Sequence, residues 1–141
     1  MKINYTKNLS DISTEMLAGG FFVGWPNPPS PETHLRILRN AWCSYVAIDS
    51  ATNAVVGFIN CVSDGVLTAY IPLLEVLPEY QGHGIGKRLV QLILDEAKDL
   101  YMIDIGHDEE KTGFYAQFKP HTLTMSCFRN YHAQSGKAAI Q

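Results

Sequence analysis

Three glycines, Gly82, Gly84 and Gly86, alternate with other residues where a predicted strand gives way to a predicted helix. A loop that enters a helix leaves several backbone N–H groups unpaired, and the helix dipole adds partial positive charge to them. Glycines let a bulky anion approach this backbone without meeting a Cβ atom. Lys87 and Arg88 follow directly, although cations in a first helical turn oppose the dipole. The pattern predicts a site for phosphate groups.

Two common phosphate motifs do not fit this stretch. The Rossmann pattern G-x-G-x-x-G requires a glycine where Lys87 stands. The P-loop pattern requires a glycine where Gln81 stands and a Ser or Thr where Arg88 stands. A nucleotide triphosphate is therefore a poor fit. A tight turn that uses glycine only to start the helix is the alternative interpretation.

Length and composition narrow the class of protein. The chain has 141 residues, which predicts a single domain over 1–141. A net charge of -3 argues against nucleic acid as a partner. The sequence contains no apolar run near the ~18 residues of a membrane span and no signal-peptide pattern, which predicts a cytoplasmic protein. We expect Cys43, Cys61 and Cys127 to be buried, reduced thiols.

Periodicity and turn residues predict a mixed sheet with helices. The unit 66–106 reads as strand, helix and strand, which predicts a parallel pair, whereas the earlier strands read as antiparallel hairpins. Pro72 predicts an edge or a bulge within its strand. The predicted strands are 3–7, 42–49, 55–63, 66–76, 101–106 and one or two within 121–131, and the predicted helices run from Ser10 or Asp11 to Leu17, from Pro31 to about Asn40, from Ile85 to about Leu100, and over 109–118.

The stretch V-L-P-E-Y-Q-G-H-G-I-G, residues 76–86, closely resembles the acetyl-CoA-binding motif of the GNAT N-acetyltransferase superfamily, V-x-P-x-x-[QR]-G-x-G-[IA]-G. The segment G-F-Y-A-Q-F, residues 113–118, is similar to the aromatic–Tyr element in the helix after the fifth strand of that family. The resemblance implies an α/β (α+β) fold, a single domain with a mixed, mostly antiparallel twisted sheet flanked by helices.

The resemblance also implies acetyl-CoA as cosubstrate. Backbone N–H groups from Gln81 to Lys87 would hold its pyrophosphate. The pantetheine arm would pair with the fourth strand near Leu74–Leu77 and enter a cleft where the fourth and fifth strands splay apart. The implied cofactor-binding residues are Leu74, Val76, Leu77, Gln81, Gly82, His83, Gly84, Ile85, Gly86, Lys87, Asp108 and Tyr115.

Acyl transfer to an amine needs an oxyanion donor, a general acid and a base. The resemblance implies the Val76 N–H as donor and the Tyr115 hydroxyl as acid, unless Tyr115 is only a packed aromatic. Glu75 lies in an apolar run where burial would raise its pKa, so we favour it as base, directly or through a water. Glu75 as a salt-bridged or solvent-facing residue is the alternative, and Asp104 and His107 are the other candidate bases.

The acceptor is expected under loop 21–31, where Phe21, Phe22 and Trp25 form either an apolar pocket or a plug on the core. Two positions depart from the family pattern, since Asp108 replaces an Asn and Lys119 replaces a glycine.

The remaining histidines predict no metal site. His34, His121 and His132 have no metal-ligand spacing with each other, and we expect all three at the surface.

The sequence therefore predicts an N-acetyltransferase that moves an acetyl group from acetyl-CoA directly to a primary amine, of a small molecule or an exposed protein amine. A CoA-binding sensor or interaction module without catalysis is the alternative, and a binder of another phosphate ligand is a third. Neither nucleic acid nor membrane is expected as a partner, and a homodimer stays open.

Overall fold

The computed structural model describes residues 1–137, and six strands within them form one mixed sheet. The order is β1-β2-β3-β4-β6, and β5 pairs with β3. The strands are β1 (Ile3–Thr6), β2 (Cys43–Asp49), β3 (Ala54–Ser63), β4 (Thr68–Ile71), β5 (Leu74–Val76) and β6 (Met102–Ile105), and the α-helices are α1 (Pro31–Asn40), α2 (Ile85–Glu96) and α3 (Thr112–Ala116).

The core forms where α2 packs on the middle of the sheet. Leu89 and Ile93 repeat at helical spacing on one face of α2, and both are fully buried. Phe58 and Ile59 of β3 are equally buried. The antiparallel pairings of β2 with β3 and of β3 with β4 confirm the predicted hairpins, and β1 also pairs antiparallel with β2.

Helix α1 begins where the sequence predicts. Ser30 caps it, because its side-chain oxygen accepts a hydrogen bond from the Thr33 N–H at 3.2 Å, and Pro31 occupies the first helical position. The predicted end at Asn40 is also confirmed.

The predicted fourth strand is two strands separated at Pro72. Proline has no N–H to give to a sheet, and the irregularity it predicts is confirmed as a break between β4 and β5. Asn60 of β3 bridges the break: its side-chain Oδ1 accepts from the Leu73 N–H at 3.0 Å, and its own N–H donates to the Leu73 carbonyl at 3.2 Å. Asn60 is only 3% exposed, so these bonds hold the bend from inside.

The two sides of the sheet diverge after this break. Strands β4 and β6 pair in parallel from Thr68 opposite Met102 to Ile71 opposite Ile105, which confirms the predicted parallel unit. Strand β3 pairs antiparallel with both β4 and β5, through Val62 and Ser63 with β4 and through 57–59 with β5, whereas β6 pairs with β4 alone among the described strands. A cleft therefore opens between β5 and the end of β6.

The predicted first helix is wrong except for its last turn. Only Glu15–Leu17 is helical, as a single 3₁₀ turn. The preceding residues form local turns instead, since Ser10 N–H donates to the Asn8 side chain at 3.1 Å and Ile12 N–H donates to the Leu9 carbonyl at 3.1 Å. Such local bonds compete with helical ones.

Three further elements differ from prediction. Helix α2 ends at Glu96, one turn before Leu100, and residues 97–100 form turns. The predicted helix 109–118 is a 3₁₀ turn, Glu109–Lys111, followed by the short α3, and Gly113 weakens helix formation there. Residues 121–131 form no strand, because within residues 1–137 they pair with no sheet edge.

Cysteine burial is predicted only in part. Cys61 is buried, Cys43 is half-buried and Cys127 is exposed, so a buried Cys127 is wrong. All three are free thiols. No helix within residues 1–137 is long and apolar enough to cross a membrane.

His34 is not at the surface, and that prediction is wrong. It is 1% exposed, and its ring packs edge-on against Phe21, Phe22 and Phe58. Its Nε2 is buried without a hydrogen-bond partner in residues 1–137. Helical spacing places His34 beside the buried Leu35 and Leu38 on the inner side of α1, which the sequence reading overlooked.

This burial predicts a pH dependence of stability. Desolvation lowers the pKa of His34 to about 4, whereas an unfolded histidine titrates near ~6.5. Between these values the unfolded state binds more protons, so the free energy of unfolding falls as pH falls from ~6.5 to ~4, by about 3 kcal/mol in all. Urea unfolding at several pH values measures this slope. A His34→Phe variant should lose that part of the slope and the exposed His121→Gln should keep it, and an unchanged slope in His34→Phe would contradict the assignment.

Candidate active site

The loop before α2 presents a row of unpaired backbone amides. The N–H groups of residues 82–87 make no hydrogen bond within the described chain, and the next amide, that of Arg88, donates to the Gly84 carbonyl at 3.0 Å. Gln81 departs from the prediction, because its N–H donates to the Pro78 carbonyl at 3.2 Å. Six consecutive free donors at a helix start form a cradle for an anion.

Two glycines of the cradle are required by its geometry. Gly82 and Gly84 have φ of 79° and 81°, a left-handed conformation that costs other L-residues about 1–2 kcal/mol. No atom lies within 4 Å of where a Cβ would stand on either residue, so the space above the amides is open.

The two cations after the cradle have no acidic partner. Lys87 and Arg88 are exposed, and neither forms an ion pair within residues 1–137. Their charges add to that of the helix N-terminus, so the loop is suited to an anion of high charge.

The edge of β5 that faces the cleft carries free backbone groups. Leu77 N–H donates to the Val56 carbonyl at 2.9 Å, and the Leu73 carbonyl accepts from Asn60 N–H, so odd-numbered residues bond to β3. Antiparallel alternation then turns the N–H and C=O groups of Leu74 and Val76 toward the opposite edge. The Val76 carbonyl accepts from the Gln81 side-chain amide at 2.9 Å, which leaves the Val76 N–H free.

Gly86 of the cradle lies between α3 and β5. A Cβ on Gly86 would stand 3.5 Å from Phe114 Cζ and 3.7 Å from Val76 Cγ2. Tyr115, the next residue, is 9% exposed, and its ring stacks on His107 with centroids 4.4 Å apart. Burial raises the pKa of Tyr115 to about 12, so its hydroxyl carries a proton throughout the neutral range.

Glu75 holds the loop on the other side of the cleft. One carboxylate oxygen accepts from the Phe22 N–H at 2.7 Å and the other from the Val23 N–H at 3.2 Å. These bonds fix Phe22, whose φ is 64°, in the left-handed region. Glu75 is half-buried and forms no salt bridge within residues 1–137.

The aromatic residues of the loop have two different roles. Phe21 and Phe22 are 9% and 5% exposed and pack on the core through Phe58, as a plug would. They also line a pocket of about 130 Å³ with His34. Trp25 is 38% exposed and leans on Phe22, at 5.0 Å between ring centroids, so its outer side stays open to a ligand.

The two departures from the family pattern leave this arrangement intact. Lys119 adopts φ 55°, in the left-handed region that favours glycine, so the turn forms with lysine in place. Asp108 is exposed and begins the 3₁₀ turn before α3. Among the other candidate bases, Asp104 is exposed on β6, whereas the Nδ1 of His107 lies 2.8 Å from the Asp108 carbonyl.

A larger concavity, about 650 Å³, lies at the other end of the sheet and includes Trp42 and Cys43. It borders a structural network in which Glu96 accepts from Lys7 Nζ and from the Tyr45 hydroxyl, each at 2.7 Å. None of the predicted site residues lines it.

The structure thus places Gly86 of the cradle beside Val76 of β5 and Phe114 of α3, the chain neighbours of Glu75 and Tyr115. Sequence reasoning missed Asn60, which holds the bend, and the stacking of His107 on Tyr115. Asn60 is a polar residue within the apolar run 55–62, and this exception to the pattern could have identified it from the sequence. No spacing signalled the stacking, because His107 lies in the loop after β6 and Tyr115 lies in α3, and the two rings meet only in the folded chain.

The comparisons with known proteins agree with this geometry. A crystal structure from Deinococcus radiodurans R1, described as a candidate acetyltransferase, is 39% identical with a TM-score of 0.92, covering 97% of this chain and 94% of that one. A GNAT family acetyltransferase of Streptococcus pneumoniae TIGR4 is 28% identical with a TM-score of 0.71, covering 92% and 97%.

N-alpha-acetyltransferase 30 of Saccharomyces cerevisiae is 36% identical over 70 residues, which cover 43% of this chain and 40% of that protein. The chain therefore spans less than half the length of this relative. Residues 12–118 match the sequence model of the acetyltransferase (GNAT) family. This range includes the cradle, β5, Glu75 and Tyr115. With more than half of its length inside that match, the chain belongs to the acetyltransferase (GNAT) family.

Proposed function

We propose that the protein transfers an acetyl group from acetyl-CoA directly to a primary amine. The row of six unpaired amides before α2 carries the proposal, because it suits the diphosphate of CoA and its donors have no partner within the described chain. The free edge of β5 suits the pantetheine arm, which lies along Leu74 and Val76 and pairs with the backbone of Leu74 as an added strand would. The three free thiols are compatible with the reducing cytoplasm that we propose as its location.

The residues around the cleft supply the groups that acyl transfer needs. The amine nitrogen attacks the thioester carbon, and the free Val76 N–H stabilises the negative charge that develops on the carbonyl oxygen. As the C–S bond breaks, the Tyr115 hydroxyl gives its proton to the leaving sulfur. Glu75 takes the proton that the amine nitrogen loses, directly or through a water. The carboxylate also fixes the loop that faces the acceptor, so Glu75 both positions the acceptor loop and serves as the base.

Gly84→Ala tests the cradle. A Cβ at Gly84 enters the space above the amides, so we expect the dissociation constant of CoA to rise about tenfold, the effect of ~1.4 kcal/mol. Gly24→Ala is the matched control, since Gly24 has φ 84° and equally open space but lies outside the cradle. Titration calorimetry measures binding, and equal affinity in both variants would rule out the cradle as the CoA site.

Tyr115→Phe tests the general acid. We expect kcat to fall about a hundredfold, because thiolate then leaves without a proton, while CoA affinity stays unchanged. Release of free thiol from acetyl-CoA with a panel of amines measures the rate. The exposed Tyr101→Phe should match the unmodified protein. Unchanged turnover in Tyr115→Phe would remove the assignment.

Glu75→Gln tests the base. The amide still accepts one hydrogen bond from the loop but takes no proton, so we expect kcat/KM to fall by about 10²-fold or more. The exposed Glu79→Gln, in the neighbouring 3₁₀ turn, is the control. A Glu75→Gln enzyme of normal rate would transfer the role to His107 or to water. If no amine is acetylated although CoA binds, the sensor function replaces the enzyme.

A further inference from the structure

Residues 119–131, here called the strap, pass close to the open end of the cleft. The strap leaves α3 where the Lys119 N–H donates to the Ala116 carbonyl at 3.0 Å. Its middle touches the end of β6, because Met125 Cε lies 2.6 Å from where a Cβ on Gly106 would stand.

The chain after the strap is tied to the acceptor side. Gln134 accepts a hydrogen bond from the Asn27 N–H of loop 21–31 at 2.9 Å, and Arg36 of α1 donates to the Gly136 carbonyl at 3.4 Å. The strap therefore runs from the helix that carries Tyr115 to the loop that Glu75 holds. It borders the cleft at the side where an acceptor must enter.

The strap has the sequence of a strand but lacks a strand's partner. From Thr122 to Cys127 polar and apolar residues alternate, the pattern of a half-buried strand. Yet no backbone group of residues 120–127 makes a hydrogen bond within residues 1–137. Free main-chain groups beside a cleft can pair with an extended peptide, as an added strand does at a sheet edge.

The strap also exposes large apolar side chains. Leu123 and Phe128 are 83% and 88% exposed, and Tyr131 is 74% exposed. Trp25 and Val23 of loop 21–31 are also exposed, and the Asn27–Gln134 hydrogen bond ties that loop to the chain just after the strap. Exposed large apolar side chains on two segments joined in this way favour a binding role for this part of the surface.

The charge of this region selects among peptides. Residues 112–137 contain no acidic residue, but Lys119, Arg129 and Lys137 are cations. Loop 21–31 has no charged residue at all. A ligand that complements the cations of residues 112–137 and the apolar side chains of the strap carries carboxylates alternating with apolar side chains.

We infer that the acceptor is the terminal amine of an extended, acidic and apolar polypeptide segment, which pairs with the strap and places its amine near Glu75. The inference rests on the proposed acetyl transfer and specifies its substrate. The strap becomes a paired strand when the peptide is present, which accounts for a strand pattern without a partner.

A panel of synthetic substrates tests the inference. Three ten-residue peptides with a single free α-amine alternate Val with Asp, Val with Arg, or Ser with Asp, and valine amide serves as the small-molecule reference. We expect kcat/KM on the Val–Asp peptide to exceed that on valine amide at least tenfold, and the two other peptides to fall between them. Thiol release measures all four.

Charge reversal in the strap is the sharper measurement. Arg129→Glu should lower kcat/KM on the Val–Asp peptide about three- to tenfold and raise it on the Val–Arg peptide. The reason is that residue 129 would then repel the Asp side chains of the first peptide and attract the Arg side chains of the second. Valine amide should react unchanged. Lys98→Glu, an exposed reversal on the turn after α2, is the matched control and should alter none of the ratios.

A second variant tests the main-chain pairing. Thr124→Pro removes one strap N–H that makes no bond in the structure, so no internal hydrogen bond is lost, and peptide turnover should fall while valine amide is unaffected. The infrared amide band of the complex should gain strand signal with unmodified protein only.

Each contrary outcome is distinct. Valine amide reacting as well as every peptide would overturn the inference and leave acetyl transfer standing, whereas failure to bind CoA would remove the proposed function itself. A dimer in sedimentation analysis that Thr124→Pro dissociates would show that a second copy, rather than a substrate, pairs with the strap, and would also overturn it.

Discussion

The whole site depends on backbone amides that the fold leaves without partners. The start of a helix and the free edge of a strand both leave backbone groups unpaired, and the proposed CoA site uses one set of each kind. The first set is residues 82–87, where α2 begins, and the second is the outer edge of β5. Both lie where a ligand or water can reach them. The architecture keeps these donors free, and their ligand completes the hydrogen bonding.

Strand divergence keeps the second set free. If β5 continued the line of β4, its outer edge would pair with β6 and the cleft would close. Pro72 removes a donor at the critical point, and Asn60 accepts the bond that the bent chain needs instead. The bend is thus held by a buried side chain, Asn60.

Glu75 connects the two sides of the cleft. Its carboxylate lies on the strand that we assign to the pantetheine arm, and it accepts hydrogen bonds from the loop that faces the acceptor. The same loop buries Phe21 and Phe22 against His34 and Phe58, so aromatic packing stabilises the loop from behind. Trp25, Val23 and the large apolar side chains of the strap stay exposed beyond this packing.

The sequence by itself determined the cradle, the order of the strands, the start of α1 and the parallel unit, because glycine spacing, caps and periodicity are local signals that residues nearby in the chain carry. Only the tertiary structure decided that β5 leaves β6, that Glu75 bonds to loop 21–31 and that His34 is buried, since each depends on residues far apart in sequence. The strap shows the limit most clearly. Its alternation specifies a face to be covered, but a strand forms only beside a partner, and the described chain offers it none.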